Sequence, residues 1–242
     1  MEKKIILPDT CFCAIVKDEI MNPAGGIVDF INSTMPYCQA GAIVDTGSKD
    51  GTREKLEELA GKYKNLKIYD LNLNPFHYAD AKNFAISKAD TKRIFILDAD
   101  ERLTKKDFSQ LYNSLKEDNW NHEGYKFNIL DVFNEKTDTG WGLSFRLFNK
   151  SSDIRYKGNV WEVFMKGLEP FVEAADWISV PIAVKHFRPN ERICELKKEF
   201  IYEPMDKGNL DNLFSKKNIE PEKILQLSRL WKEFNPQREN YR

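Results

Sequence analysis

The sequence predicts an α/β fold built on a mostly parallel, twisted sheet that is flanked by helices. Three short runs, at residues 11–16, 42–44 and 94–97, are almost wholly apolar, as are strands that a parallel sheet buries on both faces. Segments with helical spacing of apolar residues separate these runs, and this alternation is typical of parallel strands joined by right-handed crossovers. The 242 residues are enough for one large domain with a small appendage.

Strands and helices alternate regularly through the first 120 residues. In chain order, the pattern predicts a strand at 11–16, a helix near 24–35, a strand at 42–44, a helix that begins at Asp50-Gly51-Thr52, a strand at 66–71, a helix at 78–88 and a strand that ends at Asp98. Thr104 and Asp107 then have the spacing of a capping box, which predicts the start of a further helix.

The pattern changes near residue 120. Aromatic and β-prone segments at 125–133, 143–148 and 178–185 predict hairpins or antiparallel additions to the sheet. Apolar residues at helical spacing return in the last fifty residues and predict a helical appendage.

These patterns divide the chain into two parts. We expect one domain at 1–189, with two halves at 1–120 and 121–189, and a C-terminal helical appendage at 190–242.

Composition and charge narrow the class of protein. A net charge of −1 offers no field that would attract nucleic acid. No segment approaches the roughly 18 consecutive apolar residues of a membrane span, and the apolar run near the N-terminus is too short for a signal peptide. The four cysteines lack zinc-type spacing, and Cys11 and Cys13, two residues apart in a predicted strand, are expected to pack on one face as reduced thiols. We therefore expect a cytoplasmic protein without a nucleic-acid partner or a transmembrane segment; a peripheral membrane contact stays open.

Polar groups follow three of the predicted strands, at 16–19 (Val-Lys-Asp-Glu), 45–48 (Asp-Thr-Gly-Ser) and 98–101 (Asp-Ala-Asp-Glu). The carboxyl ends of parallel strands meet at one edge of a sheet, where α/β proteins bind their ligands. The third group holds three carboxylates within four residues, and a hard divalent cation would relieve their repulsion. An acidic turn that caps the next helix is the alternative.

The sequence also argues against two common kinds of nucleotide-binding site. The chain has neither a Gly-x-x-x-x-Gly-Lys-Ser/Thr loop nor a Gly-x-Gly-x-x-Gly fingerprint, which disfavours P-loop NTPases and standard dinucleotide-binding proteins.

Four ordered motifs resemble those of family 2 glycosyltransferases. They are residues 13–19 (Cys-Ala-Ile-Val-Lys-Asp-Glu), 43–52 (Ile-Val-Asp-Thr-Gly-Ser-Lys-Asp-Gly-Thr), 81–85 (Ala-Lys-Asn-Phe-Ala) and 97–101 (Leu-Asp-Ala-Asp-Glu). Weaker matches follow at 146–150, 156–162 and 185–187. The chain is most similar to the branch that holds core-oligosaccharide glucosyltransferases and peptide-modifying glycosyltransferases.

The resemblance implies a GT-A fold and a metal-dependent, inverting transfer from a nucleotide-sugar, above all a UDP-sugar, to a saccharide, lipid-linked glycan or peptide. It assigns donor binding to Val16, Lys17, Glu19, Asp45, Gly47, Ser48, Lys82 and Asp98. It assigns Mn²⁺ or Mg²⁺ to Asp100 and His186, and the proton transfer from the acceptor to Glu162.

Several residues keep a second interpretation. Asp45 could cap the turn beside Gly47, Lys82 could be a solvated helix lysine where relatives carry Arg, and His186 could be structural. Asp131 and Glu135 are alternative bases, because the segment after the acidic motif commonly faces the acceptor in this family. Trp161 departs from the family pattern, since relatives have His beside the acidic residue.

The two other histidines are not placed in the predicted site. His77 is left without a role, and His122 is expected to be solvated in a polar turn.

Two other functions remain as alternatives. A degenerate, non-catalytic module that binds sugar or nucleotide would explain Trp161 and Lys82. A sugar nucleotidyltransferase would need a Gly-rich basic loop, and residues 1–30 contain only Gly25-Gly26 without an adjacent Lys or Arg.

Overall fold

A nine-stranded sheet forms the centre of the computed structural model, which describes residues 7–187 except 21, 23, 75, 134–135, 138–141 and 159–161. The strands in chain order are β1 Leu7–Val16, β2 Cys38–Asp45, β3 Leu66–Asp70, β4 Arg93–Ile96, β5 Glu101–Arg102, β6 Gly124–Phe133, β7 Lys136–Thr137, β8 Gly142–Asn149, β9 Ile154–Lys157, β10 Val163–Lys166, β11 Glu169–Pro170 and β12 Trp177–Phe187. The α-helices are α1 Gly26–Thr34, α2 Thr52–Lys62, α3 Tyr78–Ser87, α4 Lys105–Glu117 and α5 Phe171–Ala174, and a short 3₁₀ helix spans Met35–Tyr37.

The sheet has a parallel part and a mixed part. Its order is β3-β2-β1-β4-β8-β6-β12-β5, with β7 paired to β6. The first four strands in this order are parallel, β8 runs antiparallel to both β4 and β6, and β12 runs parallel to β6. Strands β9, β10 and β11 form a separate antiparallel sheet. The expected α/β class, with antiparallel additions after residue 120, is therefore confirmed.

Helices cover both faces of the sheet because side chains alternate along each strand. In β1, Phe12 packs into the cluster that includes the buried faces of α1, α2 and α4. Cys11 and Cys13 point to the opposite face, where they pack with residues of α3. Both thiols are free and buried, as expected from their spacing.

Local signals place the helix starts. Thr104 accepts a hydrogen bond from the backbone N–H of Asp107, and Asp107 accepts one from the backbone N–H of Thr104, so the predicted capping box is confirmed.

Within the described part of the chain, no helix has the length and apolar character that a membrane crossing requires. The predicted appendage at 190–242 lies outside the described residues.

Candidate active site

The loops after β1 and β2 are held together by hydrogen bonds at the carboxyl edge of the sheet. Strand register pairs Val16 with Asp45. Thr46 donates from its backbone N–H and its hydroxyl to the carbonyl of Val16, at 3.0 and 3.1 Å. The backbone N–H of Asp18 donates to Oγ of Ser48 at 3.0 Å. Further bonds of this kind run from the N–H of Glu19 to Oγ1 of Thr52 (2.7 Å) and from the N–H of Ile20 to Oδ2 of Asp50 (3.0 Å).

Three of the residues predicted to bind the nucleotide-sugar therefore contribute to this contact between the two loops. Val16 supplies a carbonyl, Glu19 a backbone N–H and Ser48 a hydroxyl. Lys17 lies on the same loop with an exposed side chain. The two loops form one preordered edge of the sheet.

Asp45 lies buried at this edge, and among the described residues only one of its carboxylate oxygens accepts hydrogen bonds. Its Oδ1 accepts hydrogen bonds from the backbone N–H groups of Gly47 (2.8 Å) and Ser48 (2.7 Å). Gly47 has a φ of 101°, which explains the glycine, since other residues rarely adopt that conformation. Among the described residues, Oδ2 of Asp45 is buried without a hydrogen-bond partner. The turn-cap interpretation is thus correct for Oδ1, and Oδ2 remains as a buried acceptor of the kind that a ligand satisfies.

The acidic segment after β4 contains a buried ion pair. Glu101 is buried, and its Oε1 contacts Nη2 of Arg146 on β8. Its Oε2 accepts a hydrogen bond from the backbone N–H of Asp98 at 3.1 Å. Burial raises the pKa of Glu101, an effect that Arg146 only partly offsets. Burial works against the charge of Arg146 as well, but Glu101 and Asp98 outweigh it and raise the pKa of Arg146.

Asp98 lies between two cations. Its Oδ1 is 3.4 Å from Nζ of Lys82, and its Oδ2 is 3.5 Å from Nη2 of Arg146. Burial by itself raises the pKa of this carboxyl, but Lys82, Arg146 and His186 together lower it to about 2. The side chain is nevertheless 40% exposed, so part of it is accessible to solvent.

Lys82 joins the acidic segment to the predicted base. Its Nζ lies 3.2 Å from Oε1 of Glu162 and 5.3 Å from the centre of the Tyr156 ring. Burial disfavours its charge, but Asp98 and Glu162 outweigh this effect and raise the pKa of Lys82. The side chain is only 12% exposed, so the interpretation of Lys82 as a solvated helix lysine is wrong.

Asn83 explains how Lys82 is positioned. Its side chain donates to the carbonyl of Tyr156 at 2.9 Å and accepts from the backbone N–H of Tyr156 at 2.7 Å. These two bonds attach α3 to β9 and set the ammonium of Lys82 over the ring of Tyr156.

His186 lies between two carboxylates near the end of β12. Its Nε2 is 3.4 Å from Oδ2 of Asp100, and its Nδ1 is 2.9 Å from Oδ1 of Asp131. Burial lowers the pKa of His186, but the contacts with Asp100 and Asp131 outweigh it and raise the pKa to about 9. The backbone N–H of Phe187 also donates to the carbonyl of Asp100 at 2.9 Å, which ties the acidic segment to β12. Asp131, an alternative base in the sequence, is thus a partner of this histidine.

The residues at Asp100 fit a divalent cation that a diphosphate helps to hold. Within residues 7–187, apart from the gaps given above, no group of three or more His, Cys, Asp or Glu side chains is arranged to hold a metal ion. Asp100 and His186 nevertheless bring a carboxylate oxygen and an imidazole nitrogen together. Mg²⁺ commonly takes one or two carboxylates from a protein and its other ligands from phosphate and water.

Several side chains of this charged cluster have no role that the sequence predicts. Arg146 and Tyr156 lie in two of the weaker motif matches, and the sequence places Glu101 only within the acidic group at 98–101. A charged residue within the apolar segment 143–148 was the one available signal, because a buried cation needs a partner.

The other two histidines lie away from this cluster. Nδ1 of His77 accepts from the backbone N–H of Asp80 at 3.4 Å and caps α3. His122 contacts Asp176 at 2.9 Å and Asp118 at 3.2 Å, so the expectation that it is solvated is wrong. The residues at two further predicted positions, Glu135 and Trp161, lie outside the described part of the chain.

Comparison with known proteins agrees with this architecture. The family model described as Glycosyl transferase family 2 matches residues 42–167, just over half of the 242-residue chain. No curated protein sequence matches significantly.

Among solved structures, the chain is similar to S. aureus TarS. The complex of TarS 1–349 with UDP-GlcNAc aligns with a TM-score of 0.58 at 14% identity, over 93% of this chain and 80% of that one. The complex of TarS 1–349 with UDP aligns with a TM-score of 0.55 at 15% identity, over 94% of this chain and 81% of that one. A third structure of TarS 1–349 gives 0.55 at 14% identity, over 93% and 70%. This likeness confirms the expected GT-A type of fold.

Proposed function

The chain belongs to glycosyltransferase family 2, and from this premise we propose that it transfers a sugar from a UDP-sugar to an acceptor hydroxyl or amide with inversion at the anomeric carbon. One observation carries the proposal: Lys82 contacts Asp98, on the donor side, and Glu162, the predicted base, within one cluster at the sheet edge. TarS structures hold UDP and UDP-GlcNAc, so UDP-GlcNAc is the first donor to test. A saccharide, a lipid-linked glycan or a peptide would serve as the acceptor.

Donor binding is assigned to the ends of β1, β2 and β4. Oδ2 of Asp45, which has no hydrogen-bond partner among the described residues, is the proposed acceptor for an N–H of the base. A hydrogen bond to this buried oxygen would offset the cost of its burial and so favour nucleotide binding. Asp98 is partly accessible to solvent beside Lys82, where it can accept from the ribose hydroxyls while Lys82 meets the diphosphate.

Asp100 and His186 are the residues proposed to hold Mn²⁺ or Mg²⁺. A cation bound there supplies positive charge that stabilises the leaving diphosphate. Asp131 orients His186 through its contact with Nδ1, as carboxylates commonly do for metal-binding histidines.

Glu162 is proposed as the general base. The acceptor atom attacks the anomeric carbon on the face opposite the diphosphate, the bond from carbon to the diphosphate oxygen breaks, and that oxygen keeps the electron pair. Glu162 takes the proton that the acceptor loses. A single displacement of this kind inverts the configuration.

Nucleotide release from a panel of UDP-, GDP- and CMP-sugars tests the proposal, because slow hydrolysis of a donor needs no identified acceptor. We expect release of UDP in the presence of Mn²⁺ or Mg²⁺, a loss of at least about 100-fold in Asp100→Asn, and little change in the surface variant Asp90→Asn. Absence of turnover with every donor would support the non-catalytic binding module instead. Turnover that is unaffected by Asp100→Asn would contradict the role of Asp100.

A further inference from the structure

Lys82 is one of the points at which the donor half of the site, predicted at residues 1–120, meets the acceptor half, predicted at 121–189. Its Nζ is shared between Oδ1 of Asp98 at 3.4 Å and Oε1 of Glu162 at 3.2 Å. Asp98 follows β4 in the donor half, whereas Glu162 directly precedes β10 in the acceptor half. We propose that Lys82 couples the two events of the reaction: the donor diphosphate draws Lys82 away from Glu162, and only then is Glu162 free to act as the base. This inference rests on the proposed function.

The contacts of Lys82 allow such an exchange. Asn83 fixes α3 to the backbone of Tyr156, so the helix keeps its place. The ammonium itself sits on a flexible four-carbon stem and has three donors, which can change partners without movement of the backbone. A guanidinium at this position would hold a carboxylate in a fixed planar geometry and would exchange less easily.

The pairing with Glu162 interferes with base catalysis before the donor arrives. While Oε1 of Glu162 lies 3.2 Å from the ammonium of Lys82, this oxygen accepts from Lys82 and is less available to the proton of an acceptor group. Both side chains are largely buried, at 12% and 16% exposure, so water screens the attraction only weakly. A diphosphate carries more negative charge than one carboxylate and offers several oxygens to the same ammonium.

The proposal predicts competition between Glu162 and the donor for Lys82. Removing the charge of Glu162 should therefore strengthen UDP binding, although Glu162 is a catalytic residue. We expect Glu162→Gln to bind UDP about 3- to 10-fold more tightly than the wild type in calorimetric titrations, which corresponds to the loss of a partly buried ion pair. In the Lys82→Met background, where there is no ammonium to release, the same substitution should change the affinity less than about 2-fold.

The second background separates competition from a general charge effect. Loss of one negative charge near an anion would strengthen binding in both backgrounds, whereas competition for Lys82 operates only when Lys82 is present. Glu117→Gln provides a matched control, because this carboxylate is exposed at the far end of α4, about 18 Å along the helix from its start. We expect no change in UDP affinity for this variant.

A crystal structure of the wild type with UDP gives an independent measurement. The proposal expects Nζ of Lys82 within hydrogen-bond distance of a diphosphate oxygen and no longer in contact with Glu162. Unchanged or weaker UDP binding by Glu162→Gln, an equal gain in both backgrounds, or a retained contact between Lys82 and Glu162 in the UDP complex would overturn it. Wild-type protein that binds no UDP would instead overturn the proposed function.

Discussion

The loops after β1 and β2 hold their site residues in a different way from the junction between the donor half and the acceptor half. At the ends of β1 and β2, short polar side chains bond to the backbone of the neighbouring loop, as Asp45 does with Gly47 and Ser48. At the junction of the two halves, charged side chains from distant strands pair with one another, as Glu101 does with Arg146. The difference shows that the edge formed by β1 and β2 is fixed by local turn chemistry, whereas the junction between the donor half and the acceptor half depends on a network of charges.

The largest effect is expected from breaking the buried pair of the charge network. Arg146→Met leaves Glu101 buried without a cation, and we expect the free energy of unfolding to fall by about 3–5 kcal/mol. Arg53→Met is the matched control in the donor half, because Arg53 pairs with Asp70 at 2.7 Å on the surface. Its loss should be about 0–1 kcal/mol. Urea denaturation measures the free energy of unfolding of both variants. Equal losses would contradict the distinction between the charge network at the junction and the locally bonded donor half.

A second prediction concerns the pH dependence that His186 gives to stability. The folded protein raises the pKa of His186 from 6.5 to about 9, so the protonated histidine stabilises the fold. This contribution is complete below the unfolded pKa and disappears as the pH rises through 9. In metal-free protein, we expect the stability advantage of the wild type over His186→Gln to shrink by roughly 2–3 kcal/mol between about pH 6 and pH 10.

Denaturation midpoints of both proteins across this pH range provide the measurement. An NMR titration of the imidazole of His186 reports the same pKa directly. A constant stability difference, or an imidazole that titrates near pH 6.5, would show that Asp100 and Asp131 do not hold the charged form.

A smaller loss is expected where α3 is attached to β9. Asn83→Ala leaves the backbone N–H and carbonyl of buried Tyr156 without their partner, so we expect a decrease of about 1–2 kcal/mol in the free energy of unfolding. Asn65→Ala is the control within the donor half, because Asn65 is exposed and its side chain donates to the carbonyl of Gln39 in an exposed contact. We expect a change within about 0.5 kcal/mol for the control. If both variants lost the same stability, the bonds of Asn83 would not anchor α3.

The same contrast explains which features could be predicted from the sequence. Asp45, Asp98 and the capping box at Thr104 follow from neighbours within a few residues, and they lie where the pattern placed them. Arg146 acquires its role only because β8 inserts between β4 and β6, and no local pattern determines that strand order. The sequence groups Glu101 with two other carboxylates but does not predict its buried pair with Arg146, because that pair depends on the same distant strand.

The parallel pairing of β6 with β12 was likewise not predicted. The two strands are separated by the β8–β11 region, and their pairing brings His186 opposite Asp131. The expectation of antiparallel additions described the composition of these strands, but it could not specify their partners. Local sequence patterns therefore could not predict which distant strands pair in the acceptor half.

Calorimetric titration of UDP into the wild type and into Asp45→Asn tests the central claim most directly, namely that the edge formed by β1 and β2 binds the nucleotide through Oδ2 of Asp45. Asparagine can keep the oxygen that caps the turn and replaces Oδ2 with an NH₂ group, which cannot accept from the base. We predict that the wild type binds UDP, that Asp45→Asn binds it about 10- to 100-fold more weakly, and that the unfolding temperatures of the two proteins stay close. Equal affinities of the two proteins for UDP would contradict the account.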